Sequence, residues 1–246
     1  MTRVSVVVPC YNEEERLPAA DLLASLSEVP SLHFVFVDDG SKDGTYRVLE
    51  SLRERAPDRI RVVKLPENRG KGEAVRAGLN AAIADGAAIV GFWDADLATP
   101  LSELPRMLTI LEENASLRAL LGSRVKLLGR QVDREPMRHL LGRGFATLIA
   151  LTLELPVYDT QCGSKLFVVD ESLTAALAEP FTARWMFDVE LLARLKQDFL
   201  RRGLDPTAVI HEEPLLTWRD VRGSKVKLMD GVVALRDILR IRRRAR

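Results

Sequence analysis

The sequence predicts an α/β fold in which a mostly parallel central sheet is flanked by helices. Short apolar runs rich in β-branched and aromatic residues alternate with longer segments of helical periodicity, a pattern typical of βαβ units. In addition, 47% of the 246 residues are hydrophobic and 29% are charged, the composition of a globular protein that can bury a sizeable core.

The first half of the chain shows this alternation most clearly. Its predicted strands are short and apolar, whereas its predicted helices have apolar residues at three- and four-residue spacing. The predicted elements are, in order, strand 4–8, a helix over about 17–26, strand 33–37, helix 43–55, strand 60–65, helix 71–84, strand 87–92, helix 102–113 and strand 117–122. Right-handed crossovers of this length place consecutive strands in parallel.

The pattern is less regular after Arg124. The polar segment 126–135 contains Gly129 and predicts a mobile loop. The predicted elements beyond it are helix 138–155, strand 165–169, helix 187–200, strands 208–210 and 214–218, and an amphipathic helix 227–241. No linker composition interrupts the chain, so we expect a single domain over residues 1–246, divided into residues 1–124, residues 125–226 and a basic C-terminal helix over residues 227–246.

Charge and cysteine content exclude several classes of protein. The net charge of +1 gives no nucleic-acid signature, but the last thirty residues contain ten basic and three acidic side chains, which suits membrane phosphate. Cys10 and Cys162 make no disulfide framework, which favours a reducing cytoplasm. The first strand begins too early for a signal peptide, and no apolar run approaches the ~20 residues that span a bilayer. We therefore expect a soluble protein or one peripheral to a membrane.

Asp94 and Asp96 follow the predicted strand 87–92 almost directly. Carboxylates in this position lie at the carboxyl end of a parallel strand, where open α/β sheets bind ligands. Two carboxylates this close repel each other unless a positive charge neutralises them, and Mg²⁺ bound to a diphosphate would do so. The motif is weak on its own, since a solvated acidic loop or an N-cap for the helix near Ser102 would look the same.

Polar clusters also follow the first two strands. Residues 9–14 include an aromatic side chain that can stack on a base and polar groups that can bind a ribose, although a turn and helix start would use similar residues. In the segment DDGS at residues 38–41, we expect one aspartate to accept a hydrogen bond from a base. The other aspartate, or Ser41, would cap the following helix.

Two more segments add groups suited to an anion. In NRGKG at residues 68–72, glycines let backbone N–H groups approach an anion, and Lys71 adds charge. Arg124 follows the strand ending at Gly122 and can bind phosphate in bidentate fashion, unless it is simply a surface arginine. Together the clusters predict a site for a nucleoside diphosphate and its metal ion. The chain has no G-x-G-x-x-G after the first strand, no Cys/His metal spacing and no G-x-S-x-G elbow, which argues against dinucleotide, zinc and α/β-hydrolase sites.

The order of these motifs resembles that of the family-2 glycosyltransferases, which are inverting enzymes with the nucleotide-diphospho-sugar transferase (GT-A) fold. Three later segments look like the dolichyl-phosphate glucosyltransferase branch: DTQCGSKLF at residues 159–167, RWMFDVEL at residues 184–191 and WRDVRGSK at residues 218–225. The resemblance extends from about Val4 to the C-terminus. It implies metal-dependent transfer of a hexose, foremost glucose from UDP-glucose, to a polyprenyl phosphate of dolichyl or undecaprenyl type. Residues 1–124 would then bind the nucleotide sugar and residues 125–226 the acceptor.

The resemblance also implies roles for particular residues. The expected nucleotide-sugar ligands are Pro9, Tyr11, Glu13, Val37, Asp39, Lys71, Asp94, Ala95 and Asp96. The expected phosphate and acceptor ligands are Arg124, Arg138, Gln161, Arg222 and Lys225. Asp94 and Asp96 would hold Mg²⁺ or Mn²⁺, and the candidate catalytic residues are Asp96, Arg124 and Asp188. Many mannosyl relatives have a glutamine metal ligand where this chain has Ala98, so phosphate oxygens and water would complete the metal shell.

The acceptor decides whether the reaction needs a base. A lipid phosphate is already anionic, so positioning can replace general-base catalysis, whereas a sugar hydroxyl requires a carboxylate. Asp188 and Glu190 are the candidates, and their spacing of about 200° around a helix lets at most one face the site. For Asp188 we favour the orientation of sugar hydroxyls over action as a base. Phe187 is expected in the core, and Trp185 either there or stacked on the sugar.

Two alternatives and the membrane question remain open at this level. The chain could instead glycosylate a soluble sugar or polysaccharide hydroxyl, or bind sugar nucleotides without turnover. A polyprenyl acceptor implies a peripheral protein on the cytoplasmic face of a membrane. Helix 145–155 and the C-terminal helix could form an apolar platform for the lipid, with residues 242–246 on anionic headgroups, or could simply pack on the sheet. No nucleic-acid partner is expected.

Overall fold

The structure, a computed structural model, describes residues 2–133, 136–220, 236–238 and 240–241, with only the backbone for residues 133 and 136–143. The strands in this part of the chain are β1 (Val4–Cys10), β2 (Leu32–Asp38), β3 (Ile60–Lys64), β4 (Ile89–Trp93), β5 (Ala119–Ser123), β6 (Gln131–Asp133), β7 (Ser164–Val168), β8 (Ile210–Pro214) and β9 (Thr217–Arg219). The helices are α1 (Ala19–Glu28), α2 (Thr45–Arg55), α3 (Lys71–Ala84), α4 (Glu103–Glu113), α5 (Pro136–Leu153), α6 (Glu171–Ala178), α7 (Phe187–Arg201) and α8 (Pro206–Val209).

Seven strands form the central sheet, in the order β3-β2-β1-β4-β7-β5-β8. Strand β7 is antiparallel to both of its neighbours, β4 and β5, and the other strand pairs of this sheet are parallel. Strands β6 and β9 pair in parallel as a separate two-stranded sheet. The prediction of a mostly parallel sheet flanked by helices is confirmed. Because β7 runs in the opposite direction, the segment that precedes it lies at the same edge of the sheet as the end of β4.

Helices cover both faces of the central sheet, which explains why β1, β2 and β4 are almost wholly buried. Along β1, Val6 and Val8 pack in one core cluster with residues of α2 and α4, whereas Val7 packs in the other with residues of α3 and α7. Helix α3 approaches the sheet closely at Gly78, where a Cβ atom would lie only 2.4 Å from Cγ1 of Val7. Its first residues are therefore held close to the ends of β1 and β4.

A third core cluster joins α5 and α7 to the described residues near the C-terminus. Residues 236–238 and 240–241 are helical, and Ile238 and Ile241 pack with Ile149 and Leu153 of α5. These apolar side chains thus pack within the protein, whereas Leu151 of α5 is 71% exposed. The rest of the predicted helix 227–241 and the basic residues 242–246 lie outside the described residues. None of the helices described has the length and apolar character needed to cross a membrane.

The structure differs from the prediction at several places. Residues 214–218 were predicted as one strand, but they contain the end of β8 and the start of β9. Residues 208–210 were predicted as a strand, but the Asp205 carboxylate accepts a hydrogen bond from Thr207 N–H and starts the short helix α8. Helix α6 was not predicted; Asp170 caps it by accepting from Leu173 N–H at 2.8 Å. The predicted loop 126–135 contains strand β6, because Gln131 N–H donates to Leu216 O and pairs this segment with β9.

Candidate functional site

The two aspartates predicted as metal ligands lie in a tight turn after β4, which we call the acidic turn (residues 94–97). Leu97 N–H donates to Asp94 O at 3.1 Å, and Leu97 has a positive φ of 48°. The Asp96 carboxylate accepts from Ala98 N–H at 3.1 Å. Two backbone bonds fix the turn from outside, since Asp94 N–H donates to Gly163 O and Arg219 N–H donates to Ala98 O, each at 3.0 Å.

Lys71 contacts the first of these carboxylates. Its Nζ lies 2.5 Å from Oδ1 of Asp94, so the start of α3 and the end of β4 meet at this ion pair. Burial would lower the pKa of Lys71, but the carboxylates of Asp94 and Asp188 raise it above its ordinary value. The structure therefore brings the predicted anion-binding lysine and the predicted metal ligand together in one site.

Asp96 is the more open of the two aspartates. Its side chain is exposed, whereas that of Asp94 is half-buried. Desolvation by neighbouring atoms and the negative charge of Asp94 raise the pKa of Asp96. A bound cation would remove the second of these causes, so the pair suits a divalent metal ion. Since the described residues contain no cluster of three His, Cys, Asp or Glu side chains able to hold a metal, phosphate oxygens and water would supply the remaining ligands, as Mg²⁺ commonly accepts.

A second ion pair lies beneath the first. Lys165 of β7 is completely buried, and its Nζ donates to Oδ1 of Asp188 at 2.9 Å and to the carbonyl oxygen of Cys162 at 2.5 Å. Burial raises the pKa of Asp188, while Lys165 and Lys71 oppose that shift. Asp188 is only 5% exposed and lies between Lys71 and Lys165. Negative and positive side chains therefore alternate from Asp94 into the core.

Arg124 is fixed by a bidentate ion pair. Its Nε and Nη2 each lie 2.7 Å from an oxygen of Asp159, and its backbone N–H donates to the same carboxylate. Burial alone would lower the pKa of Arg124, but the negative charges of Asp159 and, more weakly, of Asp94 raise it above its ordinary value. Glu212 holds this segment by accepting from the backbone N–H groups of Tyr158 and Asp159 at 2.6 Å. Within the described part of the chain, Nη1 of Arg124 makes no hydrogen bond and is the group that could bind a phosphate.

The aspartates after β2 organise the loops around the site. Both oxygens of the buried Asp39 accept backbone hydrogen bonds, from Arg69 at 2.7 Å and from Gly70 at 2.8 Å. Asp38 accepts from Ser41 N–H at 3.0 Å. The prediction that Asp38, Asp39 or Ser41 caps the next helix was wrong, because Asp43 accepts from Thr45 N–H at the start of α2. A contact of Asp39 with a base stays a prediction.

The remaining predicted ligands lie in several environments. Pro9, Tyr11 and Glu13 are partly exposed after or at the end of β1, and Ala95 is buried within the acidic turn. The side chain of Val37 is fully buried beneath α3, so only its backbone can face a nucleoside. The side chain of Gln161 is partly buried, with Nε2 3.3 Å from Sδ of Met186. Arg222, Lys225 and the side chain of Arg138 lie outside what the structure describes.

The structure separates the two carboxylates that the sequence offered as a base. Oε2 of Glu190 accepts from the backbone N–H groups of Thr182 and Ala183, and Oε1 is 2.7 Å from Arg194, so Glu190 holds a loop in place. Asp188 is the one that faces Lys71. Phe187 is confirmed in the core at 2% exposure, whereas Trp185 is 45% exposed.

Sequence reasoning missed Lys165, Gly163, Asp159 and Glu212. Lys165, Gly163 and Asp159 belong to the segment DTQCGSK, in which only Gln161 had been given a role. The strand-end pattern did not indicate this segment, because it precedes β7. A cavity of about 620 Å³ lies elsewhere, at the edge strand β3, and is lined by residues such as Arg59 rather than by the acidic turn.

The chain is similar in sequence to known glycosyltransferases. The model of the family described as glycosyl transferase family 2 matches residues 5–170. The chain is 34% identical to the dolichyl-phosphate beta-glucosyltransferase of Dictyostelium discoideum, covering 97% of this chain and 73% of that protein. It is 33% identical to the Homo sapiens protein of the same name, covering 91% and 69%, and 32% identical to that of Saccharomyces cerevisiae, covering 97% and 74%.

Solved structures share the fold. Glucosyl-3-phosphoglycerate synthase from Mycobacterium tuberculosis in complex with uridine diphosphate superimposes with a TM-score of 0.66 at 23% identity, covering 99% of this chain and 80% of that one. The complex of the same enzyme with Mn²⁺ and UDP-glucose gives a TM-score of 0.67 at 23% identity, covering 98% and 79%.

Proposed function

The chain belongs to glycosyl transferase family 2, with the GT-A fold, and from that premise we propose that it transfers glucose from UDP-glucose to a polyprenyl phosphate. The observation that carries the proposal is the acidic turn, whose two carboxylates lie beside Lys71 at the carboxyl edge of the sheet. Three relatives named for glucosyl transfer to dolichyl phosphate match over nearly the whole chain, which supports glucose as the sugar and a polyprenyl phosphate as the acceptor.

Asp94 and Asp96 would hold Mg²⁺ or Mn²⁺ together with the donor diphosphate. When bound, the metal ion neutralises negative charge on the leaving nucleotide, commonly the largest electrostatic contribution in such sites. Lys71 places a second positive charge beside Asp94 at 2.5 Å, and Arg124 supplies a guanidinium that its ion pair with Asp159 holds in place. We assign the nucleoside to the end of β1 and to Asp39, with Pro9 and Tyr11 as the surfaces for the base and ribose.

The acceptor side supports a phosphate nucleophile more than a hydroxyl. A lipid phosphate needs no base, and Glu190, one of the two candidate bases, is occupied by the loop at Thr182 and Ala183. Asp188 is nearly buried and paired with Lys165, which suits a fixed acceptor of hydrogen bonds from sugar hydroxyls better than a group that shuttles protons. We assign the acceptor phosphate to Arg124 with Arg138, Gln161, Arg222 and Lys225.

We further propose that the protein works peripherally on the cytoplasmic face of a membrane. The support is the basic C-terminal segment and the exposed leucines of α5, Leu148 and Leu151. Flotation with vesicles that contain anionic lipid tests this, using the full chain and a variant that ends at Ile238. The full chain is expected to float and the shortened chain to float less; equal recovery of both would refute a role of the basic segment.

The decisive experiment is a transfer assay with labelled UDP-glucose and Mn²⁺. Dolichyl phosphate and undecaprenyl phosphate are offered in parallel with 3-phosphoglycerate and free glucose. We expect label in the lipid fraction for the wild type, none for Asp96→Asn, and wild-type transfer for Asp58→Asn, a matched change at an exposed aspartate far from the acidic turn. Label only in a water-soluble product would refute the lipid acceptor, and nucleotide binding without any transfer would refute enzymatic function.

A further inference from the structure

Lys165 is an unusual residue for the middle of a sheet. Its side chain has no exposed area, although lysines are almost never fully buried unless they are paired. The ammonium group has two hydrogen-bond acceptors, the Cys162 carbonyl at 2.5 Å and Oδ1 of Asp188 at 2.9 Å, and it lies 5.0 Å from the centre of the Phe92 ring. Burying a charge in this way is costly, and hydrophobic residues can often replace such a pair without loss of stability. A specific role would account for its presence.

The first contact of Lys165 leads to the acidic turn through the backbone. The carbonyl that it binds belongs to Cys162, and the next residue, Gly163, lies directly against Asp94. The Gly163 carbonyl accepts from Asp94 N–H at 3.0 Å, and a Cβ atom on Gly163 would lie 2.1 Å from Oδ2 of Asp94. Residues 162–163 therefore pack against the Asp94 carboxylate, and the hydrogen bond from Lys165 to the Cys162 carbonyl holds them in position.

The second contact leads to the same carboxylate through charge. Lys165 fixes Asp188, and the negative charge of Asp188 attracts the Lys71 ammonium group toward this side of the site. Lys71 in turn contacts the other oxygen of Asp94, Oδ1, at 2.5 Å. Lys71 thus contacts Oδ1 of Asp94 while Gly163 packs against the same carboxylate, and both lines of contact begin at Lys165.

We propose that Lys165 is a positioning residue that sets the orientation of the Asp94 carboxylate for the metal ion and the donor diphosphate. The inference rests on the proposed function, because it takes Asp94 as a ligand of a metal–nucleotide complex. Outer residues that orient a metal ligand typically contribute 10- to 100-fold to metal affinity, and we expect Lys165 to act in this range.

The test measures binding rather than turnover. UDP binding is followed by calorimetry over a series of Mn²⁺ concentrations for the wild type, Lys165→Met and Arg194→Met. Arg194→Met is the control. Arg194 also pairs with a buried carboxylate, that of Glu190 on the same helix as Asp188, but this pair lies outside the site. At a temperature where all three proteins are folded, we expect the Mn²⁺ concentration for half-maximal UDP binding to rise about 10- to 100-fold in Lys165→Met and to stay unchanged in Arg194→Met.

A second pair of variants tests the backbone contact without changing any charge. Gly163→Ala introduces a methyl group against Asp94, whereas Gly144→Ala does so where no atom lies within 4 Å. We expect the first to raise the required Mn²⁺ concentration about 10-fold or more and the second to leave it unchanged. This pair decides the matter if Lys165→Met does not fold.

The outcomes separate this inference from the proposed function. If Lys165→Met or Gly163→Ala folds and requires the same Mn²⁺ concentration as the wild type, Lys165 only stabilises the core and the inference is overturned. If Arg194→Met raises the requirement equally, general destabilisation is the cause and the inference is again overturned. If the wild type binds UDP without any dependence on Mn²⁺, the proposed metal site itself is refuted.

Discussion

Glu190 offers the sharpest test of how the structure divides roles between two neighbouring carboxylates. We consider replacing it by alanine and, separately, by glutamine. In the native protein Glu190 is 4% exposed and accepts hydrogen bonds from Thr182 N–H at 2.9 Å and from Ala183 N–H at 2.8 Å. Alanine would remove the acceptor of both, whereas the glutamine amide oxygen could keep it.

The cost of Glu190→Ala follows from what each partner loses. A buried N–H left without an acceptor costs about 1–3 kcal/mol, and this applies fully to Ala183, whereas Thr182 lies nearer to water. Arg194 loses little, because it also donates to the backbone carbonyls of Ala176, Glu179 and Pro180. We expect a total of about 3 kcal/mol, which for a chain of this length lowers the melting temperature by about 6–12 °C. Glu190→Gln should cost about 1–2 kcal/mol, because its NH2 group would face the Arg194 guanidinium and both the charge attraction and the hydrogen bond to Arg194 would be lost.

Two measurements on each variant check this reasoning. Thermal unfolding gives the stability, and glucosyl transfer well below the melting temperature gives the turnover number. We expect Glu190→Gln to retain at least half of the wild-type turnover, whereas Asp188→Asn should lose at least 10-fold with the fold intact. The reasoning is refuted if Glu190→Gln unfolds like the wild type but is inactive, because Glu190 would then act on the substrate and not on the loop.

Three further predictions concern packing, thiol chemistry and metal removal. Gly72→Ala should cost about 1–3 kcal/mol in chemical denaturation, because its Cβ would lie 2.6 Å from Cβ of Phe187; an unchanged midpoint would contradict this close contact. Cys10 and Cys162 are both buried, and burial raises the pKa of each thiol, so neither should react with a disulfide reagent at pH 8 until the protein is unfolded. Rapid labelling of the native protein would contradict this burial. A chelator should abolish UDP binding measured by calorimetry, and added Mn²⁺ should restore it; binding that persists in the chelator would show that the nucleotide needs no metal ion.

Much of the fold could be predicted because local pattern and tertiary structure agree. Helix 71–84 was predicted with its observed bounds, since a glycine-rich start and regular apolar spacing specify it locally. Strand 208–210 was predicted wrongly because its apolar residues outweighed the cap signal of Asp205 followed by Pro206. The reversal of β7 could not be predicted at all, because strand direction depends on pairing with residues more than forty positions away.

The site was predictable in its location and less so in its contacts. Strand ends gave Asp94, Asp96 and Lys71 correctly as neighbours of one region, because parallel strands end at a common edge. The ion pair of Arg124 with Asp159 was not predicted. Asp159 comes from a distant segment, and the sequence around Arg124 indicates only a cation that could bind a phosphate. Asp188 and Glu190 have similar sequence contexts, and only the positions of Lys165 and Ala183 distinguish them.

The attachment of the acidic turn has a consequence for how such a site can change. The two hydrogen bonds that join the turn to other segments, at Asp94 N–H and at Ala98 O, involve only main-chain atoms. Neither bond therefore depends on the side chain at position 98. A glutamine at this position would therefore leave both hydrogen bonds intact. In the proposed metal site, the residue at position 98 could thus change the number of protein ligands, and with it the metal preference, while the backbone of the turn stays the same.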